Sequence, residues 1–302
     1  GRDKSPYAQM TVQPGFIFAP EGDYSKLLGT GVADWEVKLL GGYSFVDPSP
    51  TWGTGHNVKV DGAVFAWGFE QGDGDGWQKA RLLQPGMGRM TGWEFARKHR
   101  LQPATLPSMI SEPIKTGVVR YSCELPSAEI YGERAQAVKT SNRLGDEATV
   151  WQGMLRGQNA VTIPPHTTRQ VIIDLENYYC AYPEVTTSGG KDSLIHVLWE
   201  EALRGYPDGD DYKKGNRDEI EGKYFVGTGD TFLPDGGSSR RFDTLWWQAG
   251  RYVSIIVQTA GDPLTIKQVT LYETRYPLEM KSQFAASDPR LTDIVPFMVR
   301  GL

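Results

Sequence analysis

Four stretches carry the apolar runs and alternations of β-strands: "TTRQVIIDLE" (167–176), "SLIHVLWEE" (193–201), "GRYVSIIVQT" (250–259) and "PLTIKQVTLYE" (263–273). They are rich in Val, Ile, Thr and Tyr, which suit a pleated, half-buried surface. "TTSGGKDS" and "TAGDP" between them have turn chemistry, and the two prolines of "IPPH" (163–166) mark a strand entrance or edge. Nearer the N-terminus, "TVQPGFIFA" reads as a short strand, and in "GVADWEVKL" Trp35 and Val37 alternate with polar neighbours as in a half-buried strand. The turn clusters "DPSPTWGTG" and "EQGDGDGW" follow. Helical spacing is convincing only at the end. Asp288 is placed to cap and Pro289 suits the first turn, with Leu291, Ile294, Val295, Met298 and Leu302 on one face. Pro296 should kink or divide that helix. Buried, the five apolar side chains would contribute about 8 to 15 kcal/mol, so the pattern expects a partner surface.

The expected fold is therefore all-β, with two β-sandwich domains and a short C-terminal helix. Residues 1–102 read as a partial, galactose-binding-like jelly roll, short of strands. Residues 103–286, after the Pro-rich joint "LQPATLPSMISEP", read as a large concanavalin-like antiparallel supersandwich. Residues 287–302 begin the terminal helix. A long polar excursion at 203–239 interrupts the strands, and loops of that length in compact domains are usually functional or packed on a neighbour.

Composition narrows the function. The 302 residues are 39% hydrophobic, 11% aromatic and 23% charged, with 35 Gly and 19 Pro. The net charge of −5 gives no electrostatic reason to expect nucleic acid or an anionic membrane as partner. No run approaches the roughly 20 apolar residues of a membrane span. "GRDKSPYAQM" lacks a signal-peptide core, although periplasmic or secreted placement is favoured over cytoplasmic. Cys123 and Cys180 allow one pairing, but two cysteines form no disulfide framework, and buried free thiols are expected.

Most catalytic signatures are absent. His56, His99, His166 and His196 are scattered, and there is no HExxH, CxxC, GxSxG or Walker loop. "PGMGRMTG" (85–92) reads as a turn. Two segments imitate calcium loops. In "DGDDYKKGNRDE" (208–219), Tyr212 and Lys213 stand where an oxygen ligand and Gly are needed. In "EQGDGDGW" (70–77), the twelfth loop position falls on Leu82. No cofactor is expected, since neither loop gives calcium a complete ligand set. Glycoside hydrolysis needs two carboxyl groups facing each other across the bond. Glu200, Glu201, Asp218, Glu219, Glu221 and Asp230 are available, but their spacing places no two of them across a cleft. Trp246 and Trp247 resemble a sugar-stacking platform, except that neighbours in a strand point to opposite faces.

The runs "TIPPHTTRQVIIDLENYYCAYPEVTTSGGKDSLIHVLWEEAL", "KGNRDEIEGKYFVGTGDTFLPDGG", "RRFDTLWWQAGRYVSIIVQT" and "LYETRYPLEMKSQFAASDPRLTDIVPFMVRGL" resemble bacterial α-L-rhamnosidases of the glycoside hydrolase family 78 type. "GVADWEVKLLGGYSF" and "FAWGFEQGDGDGWQKARLL" resemble their N-terminal β-domain more weakly. The resemblance implies that an (α/α)6 barrel carrying the catalytic acid and base follows the β-domains, with "SDPRLTDIVPFMVRGL" as its entry helix. On that reading no residue here is catalytic, and the chain's partners are the missing barrel of the same polypeptide and a rhamnose-containing glycan. Asn216, Arg217 and Glu219, in "KKGNRDEIEGK" (213–223), become the candidate substrate contacts. The rival for that loop is self-bonding or bonding to the barrel. The rival for the whole chain is an independent carbohydrate-binding module using Trp52, Trp67, Trp77 and Trp93.

Overall fold

A computed structural model describes residues 15–45, 56–83, 105–126, 137–206 and 215–300. In chain order the N-terminal elements are α1 (Tyr24–Leu28), β1 (Glu36–Val37), β2 (Tyr43–Phe45), β3 (Val58–Asp61) and β4 (Gln78–Lys79). Next come β5 (Glu112–Pro113), β6 (Val118–Glu124), α2 (Gly145–Leu155), β7 (Val161–Ile163) and β8 (Thr168–Gly189). The remainder are β9 (Leu194–Glu200), β10 (Thr228–Leu233), β11 (Gly236–Asp243), β12 (Gln248–Gln258), β13 (Leu264–Glu273), α3 (Pro289–Asp293) and α4 (Val295–Arg300). The class is all-β.

β8 organises the molecule. Its first half pairs with β12 on one side and β6 on the other, and its second half pairs with β13 and β11. One layer therefore runs β2-β3-β10-β9-β12-β8-β6, antiparallel except for the parallel β3–β10 pair. The other runs β11-β8-β13, with β5 and β7 on the far edge of β13. Strands that change layers need a bend, and here Glu176 adopts φ 61° while the Asp174 carboxylate accepts its N–H at 2.8 Å.

The middle of the first layer, β6, β8, β9 and β12, is buried on both faces, which explains why β8, β9 and β12 read as nearly continuous apolar runs. Val171, Ile173, Val253, Ile255, Ile195 and Val197 face the second layer. Ile172, Ile256, Leu198, Tyr121 and Tyr252 face outward and are covered by Leu203, Phe225, Val138 and Ile220. Leu203, Ile220 and Phe225 of the polar excursion thus cover the back of the sheet. The excursion is shorter than its composition implied, because β10 and the first half of β11 lie inside 203–239.

Several expectations need correction. α2 was not foreseen: "GDEATVWQGML" has no side-chain N-cap and two β-branched residues, yet Ala148, Trp151 and Met154 pack into the inter-sheet core. Tertiary burial outweighs that weak propensity. Residues 15–20 form no strand, and β1 is only two residues long with Val37 exposed. Among the described residues its single partner is β4, too little to build a layer, and Trp35 packs edge-on to Phe16 and Phe18 instead. "TTSG" continues β8, so the turn begins only at Gly190. The terminal helix divides as Pro296 requires, into α3 and α4, with the Asp288 carboxylate accepting the Arg290 N–H at 3.0 Å. Cys123 and Cys180 are both free; Cys123 is buried and Cys180 partly so. The "PGMGRMTG" segment, His99, Trp52 and Trp93 lie outside the described residues.

Candidate functional site

Two places gather functional side chains. The first is the loop following residue 214, which lies against the outer face of β6, β8 and β12. Its anchor is Asp174, only 2% exposed at the side chain. Arg251 grips this carboxylate with two bonds of 2.8 Å, and Arg120 adds a third at 2.8 Å. Burial opposes the charge on Asp174, but the Arg251 and Glu176 hydrogen bonds and the two guanidinium charges outweigh it, holding the carboxyl below its usual range. The same arginines reach the loop. Arg251 pairs with the Asp218 carboxylate at 2.6 Å, and Arg120 donates to the Asp218 carbonyl at 2.9 Å. Tyr252 donates its hydroxyl to the Arg217 carbonyl at 2.6 Å, and burial followed by the Asp174 charge pushes its pKa up to about 12.

Within this frame, Asn216 donates to Glu219 at 3.3 Å and accepts the Asp218 N–H at 3.1 Å. Arg217 pairs with Glu201, while its side chain stays 54% exposed. The three residues singled out from sequence therefore sit together on one pinned, solvent-facing turn, bonded to the sheet and to one another. The other carboxylates each have their own partners. Glu200 accepts from Arg204 and from the Val226 N–H, Glu221 from Thr140, and Asp230 from the Val58 N–H and Gln248.

Of the second place, the sequence singled out only Trp67, as a stacking aromatic. A cleft of about 470 Å³ opens between residues 65–71 and β11. Trp67 donates its indole N–H to the Gly62 carbonyl at 2.8 Å, and Arg240 lies over its ring at 4.5 Å. Asp235 holds that guanidinium through bonds of 3.0 and 2.7 Å. Phe65 packs against Trp67, Tyr43 and Phe69. Residues 68–72 carry Phe69, Glu70 and Gln71 over the cleft, and glycine is needed at the start of this turn. Gly68 has φ 83°, and a Cβ there would meet the Asp73 carboxylate at 2.6 Å. Gly68→Ala is expected to lower stability by about 1–2 kcal/mol, read as a fall in melting temperature; an unchanged value would mean that the turn relaxes freely. Asp243 is raised above its usual range by burial, with Glu70 adding to the effect and Arg241 opposing it.

Other aromatic candidates divide. Trp246 and Trp247 lie in the turn between β11 and β12 rather than in a strand, so their rings stack at 6.2 Å instead of facing apart. Trp77 donates to the Asp73 carbonyl at 3.4 Å beneath Lys38. Among the described residues, no group of three or more His, Cys, Asp or Glu side chains is arranged to hold a metal ion. No helix among them is long and apolar enough to cross a membrane.

No protein-family model and no curated protein matches the sequence. Solved structures with partial overlap include the rhamnosidase from Klebsiella oxytoca with rhamnose bound: TM-score 0.35 and 15% identity, over 62% of this chain and 34% of that one. The GH78 family rhamnosidase of Bacillus sp. GL1 overlaps with TM-score 0.32 and 12% identity, over 44% of this chain and 12% of that one. CBM32-3 from a family 31 glycoside hydrolase of Clostridium perfringens overlaps with TM-score 0.27 and 6% identity, over 54% of this chain and 95% of that one. The chain thus spans about a third or less of the two rhamnosidases.

Proposed function

We propose that this chain is the non-catalytic β-sandwich portion of a family 78-type α-L-rhamnosidase, an enzyme that removes terminal α-L-rhamnose from glycosides with inversion. The sequence runs quoted above motivate the family, and the seating of α4 carries the role. Arg300 fastens this helix to the bend of β8: it bonds Glu273 at 3.0 Å and the Tyr178 carbonyl at 2.6 Å, and lies 4.3 Å over the Tyr179 ring. While its last residue is clasped by polar contacts, Leu291, Ile294, Phe297 and Met298 stay exposed, Phe297 at 78%. Helical residues tied to the sandwich at Arg300, with apolar side chains left in solvent, are suited to meet a following helical domain, as the entry helix of a barrel would. In this reading the general acid and base belong to that barrel. The sandwich holds the entry helix, and the turn with Asn216, Arg217 and Glu219 reaches the substrate cleft. The alternative of an independent carbohydrate-binding module is favoured by a different observation, the aromatic cleft beside β11.

The test compares this chain with the gene product extended through any helical domain that follows. The chain alone is expected to release nothing from an aryl α-L-rhamnoside, and the extended enzyme to release rhamnose with inversion. In the extended enzyme, Arg217→Ala and Asn216→Ala are expected to raise KM about tenfold, the loss of roughly one hydrogen-bonding contact. Unchanged kinetics would remove the turn from the cleft, and release by the chain alone would overturn the scaffold role.

A further inference from the structure

The cleft beside β11 has no part in the scaffold role, and its lining is selective. One wall is set before any ligand arrives, because Asp235, Arg240 and Trp67 lock one another by the bonds and ring contact described above. Tyr43, Phe65 and Phe69 continue it with edges and faces of aromatic rings. The polar side consists of Glu70 and Gln71 on the exposed turn and Arg241 and Asp243 from β11. Arg241 is 56% exposed at the side chain and held only loosely, 3.8 Å from each of Glu184 and Asp243.

This inventory excludes most ligand classes. Arg240 and Arg241 are balanced by Glu70 and Asp243, and Asp235 adds a further negative charge against Arg240, so an anion meets no surplus of positive charge. A metal ion finds no ligand cluster among the described residues. A wholly apolar ligand would cut Glu70 and Asp243 off from water without compensation. What remains is a neutral molecule with an apolar face and a rim of groups that both donate and accept. Sugar hydroxyls do both; carboxylates accept from them while guanidinium and amide donate to them. The volume lies within the range of about 300–1,000 Å³ for small-molecule sites.

We propose that this cleft binds a neutral glycosyl residue, its C–H face against the aromatic wall and its hydroxyls shared among Glu70, Gln71, Arg241 and Asp243. The site does not rest on the scaffold reading: a barrel-containing enzyme inactive on rhamnosides would leave it standing.

The experiment is calorimetric and saturation-transfer NMR titration of the chain with methyl glycosides of L-rhamnose, L-fucose and D-galactose, with D-glucuronate as the charged comparison. At least one neutral glycoside is expected to bind with Kd of about 1 mM, and glucuronate to bind at least about tenfold more weakly. The double variant Glu70→Ala, Gln71→Ala changes only exposed turn side chains and is expected to lose about tenfold or more in affinity with an unaltered melting temperature. Arg241→Ala should lose a similar amount; if that variant unfolds, the double variant alone decides. Absence of binding by all three neutral glycosides up to about 100 times the expected Kd overturns the proposal. So does a double variant that binds as well as the parent, which would place any sugar site elsewhere. Tighter binding of glucuronate would overturn the neutral class.

Discussion

Replacing Asp174 with alanine is expected to cost about 3 kcal/mol of unfolding free energy at neutral pH, measured by urea denaturation. The carboxylate is essentially buried, whereas Arg120 and Arg251 are 32% and 22% exposed. Its removal leaves two half-buried guanidinium groups short of a partner. Breaking a buried pair from one side costs about 3–5 kcal/mol, and partial hydration of the arginines puts this case at the lower end. The loss is not local. Asp174 joins Arg120 of β6, Arg251 of β12 and the N–H of Glu176 at the bend of β8, so three strands and the layer change lose a common tie. Asp218→Ala is the control. That carboxylate is 70% exposed, and its pair with Arg251 should be worth less than about 1 kcal/mol. The folded-state pKa of Asp174 is depressed, so its contribution is present above the ordinary value of 3.8 and fades as pH falls below it. The gap between parent and Asp174→Ala should close in acid. Equal stabilities at pH 7 would show that the arginines are satisfied without it.

The second large effect is a pair of opposed pH dependences, hidden in the parent chain and exposed by mutation. Asp230 is 1% exposed and accepts from the Val58 N–H at 2.8 Å and Gln248 at 3.2 Å. Burial raises its pKa from 3.8 to about 6 despite these bonds. A raised folded value means stability fully present below pH 3.8 and lost as pH rises through about 6. His196 is 5% exposed, with Nδ1 2.9 Å from the Thr231 hydroxyl. Burial, assisted by the charge of Lys59, lowers its pKa from 6.5 to about 4. That contribution runs the other way: it is complete above pH 6.5 and lost as pH falls through about 4. Each group changes stability by about 1.4 kcal/mol per pH unit within its window, or roughly 3 kcal/mol in all, and across pH 4–6 they nearly cancel. Asp230→Asn is expected to leave a curve that climbs with pH over this interval, and His196→Gln one that falls. Denaturation midpoints at half-unit steps would decide, and two variant curves parallel to the parent would mean that neither group is perturbed.

The middle of the chain was the more legible part. Residues 167–176, 193–201, 250–259 and 263–273 all fall on strands, β8, β9, β12 and β13; in the first three, burial on both faces leaves little room for polar interruption, whereas β13 shows the alternation of a strand buried on one face. The continuation of β8 through Pro183 was hidden, since a proline argues against a central strand. β11 ends opposite Glu184, so Pro183 lies just past that neighbour, where a missing donor costs little. Asn216, Arg217 and Glu219 were found together because they are neighbours in sequence. Of the aromatic cleft only Trp67 was singled out, because the cleft joins Tyr43 and residues 65–71 to residues 239–243, which the parallel pairing of β3 with β10 and the packing of Trp67 on Phe242 bring together. No spacing rule reports a contact between elements so far apart.

The span Thr168–Gly189 is a central member of two layers at once. Neither layer can therefore be excised as a cassette, exchanged between relatives or circularly opened at residue 176 without depriving the other of its backbone template. Genetic recombination that respects this architecture has to carry both layers together.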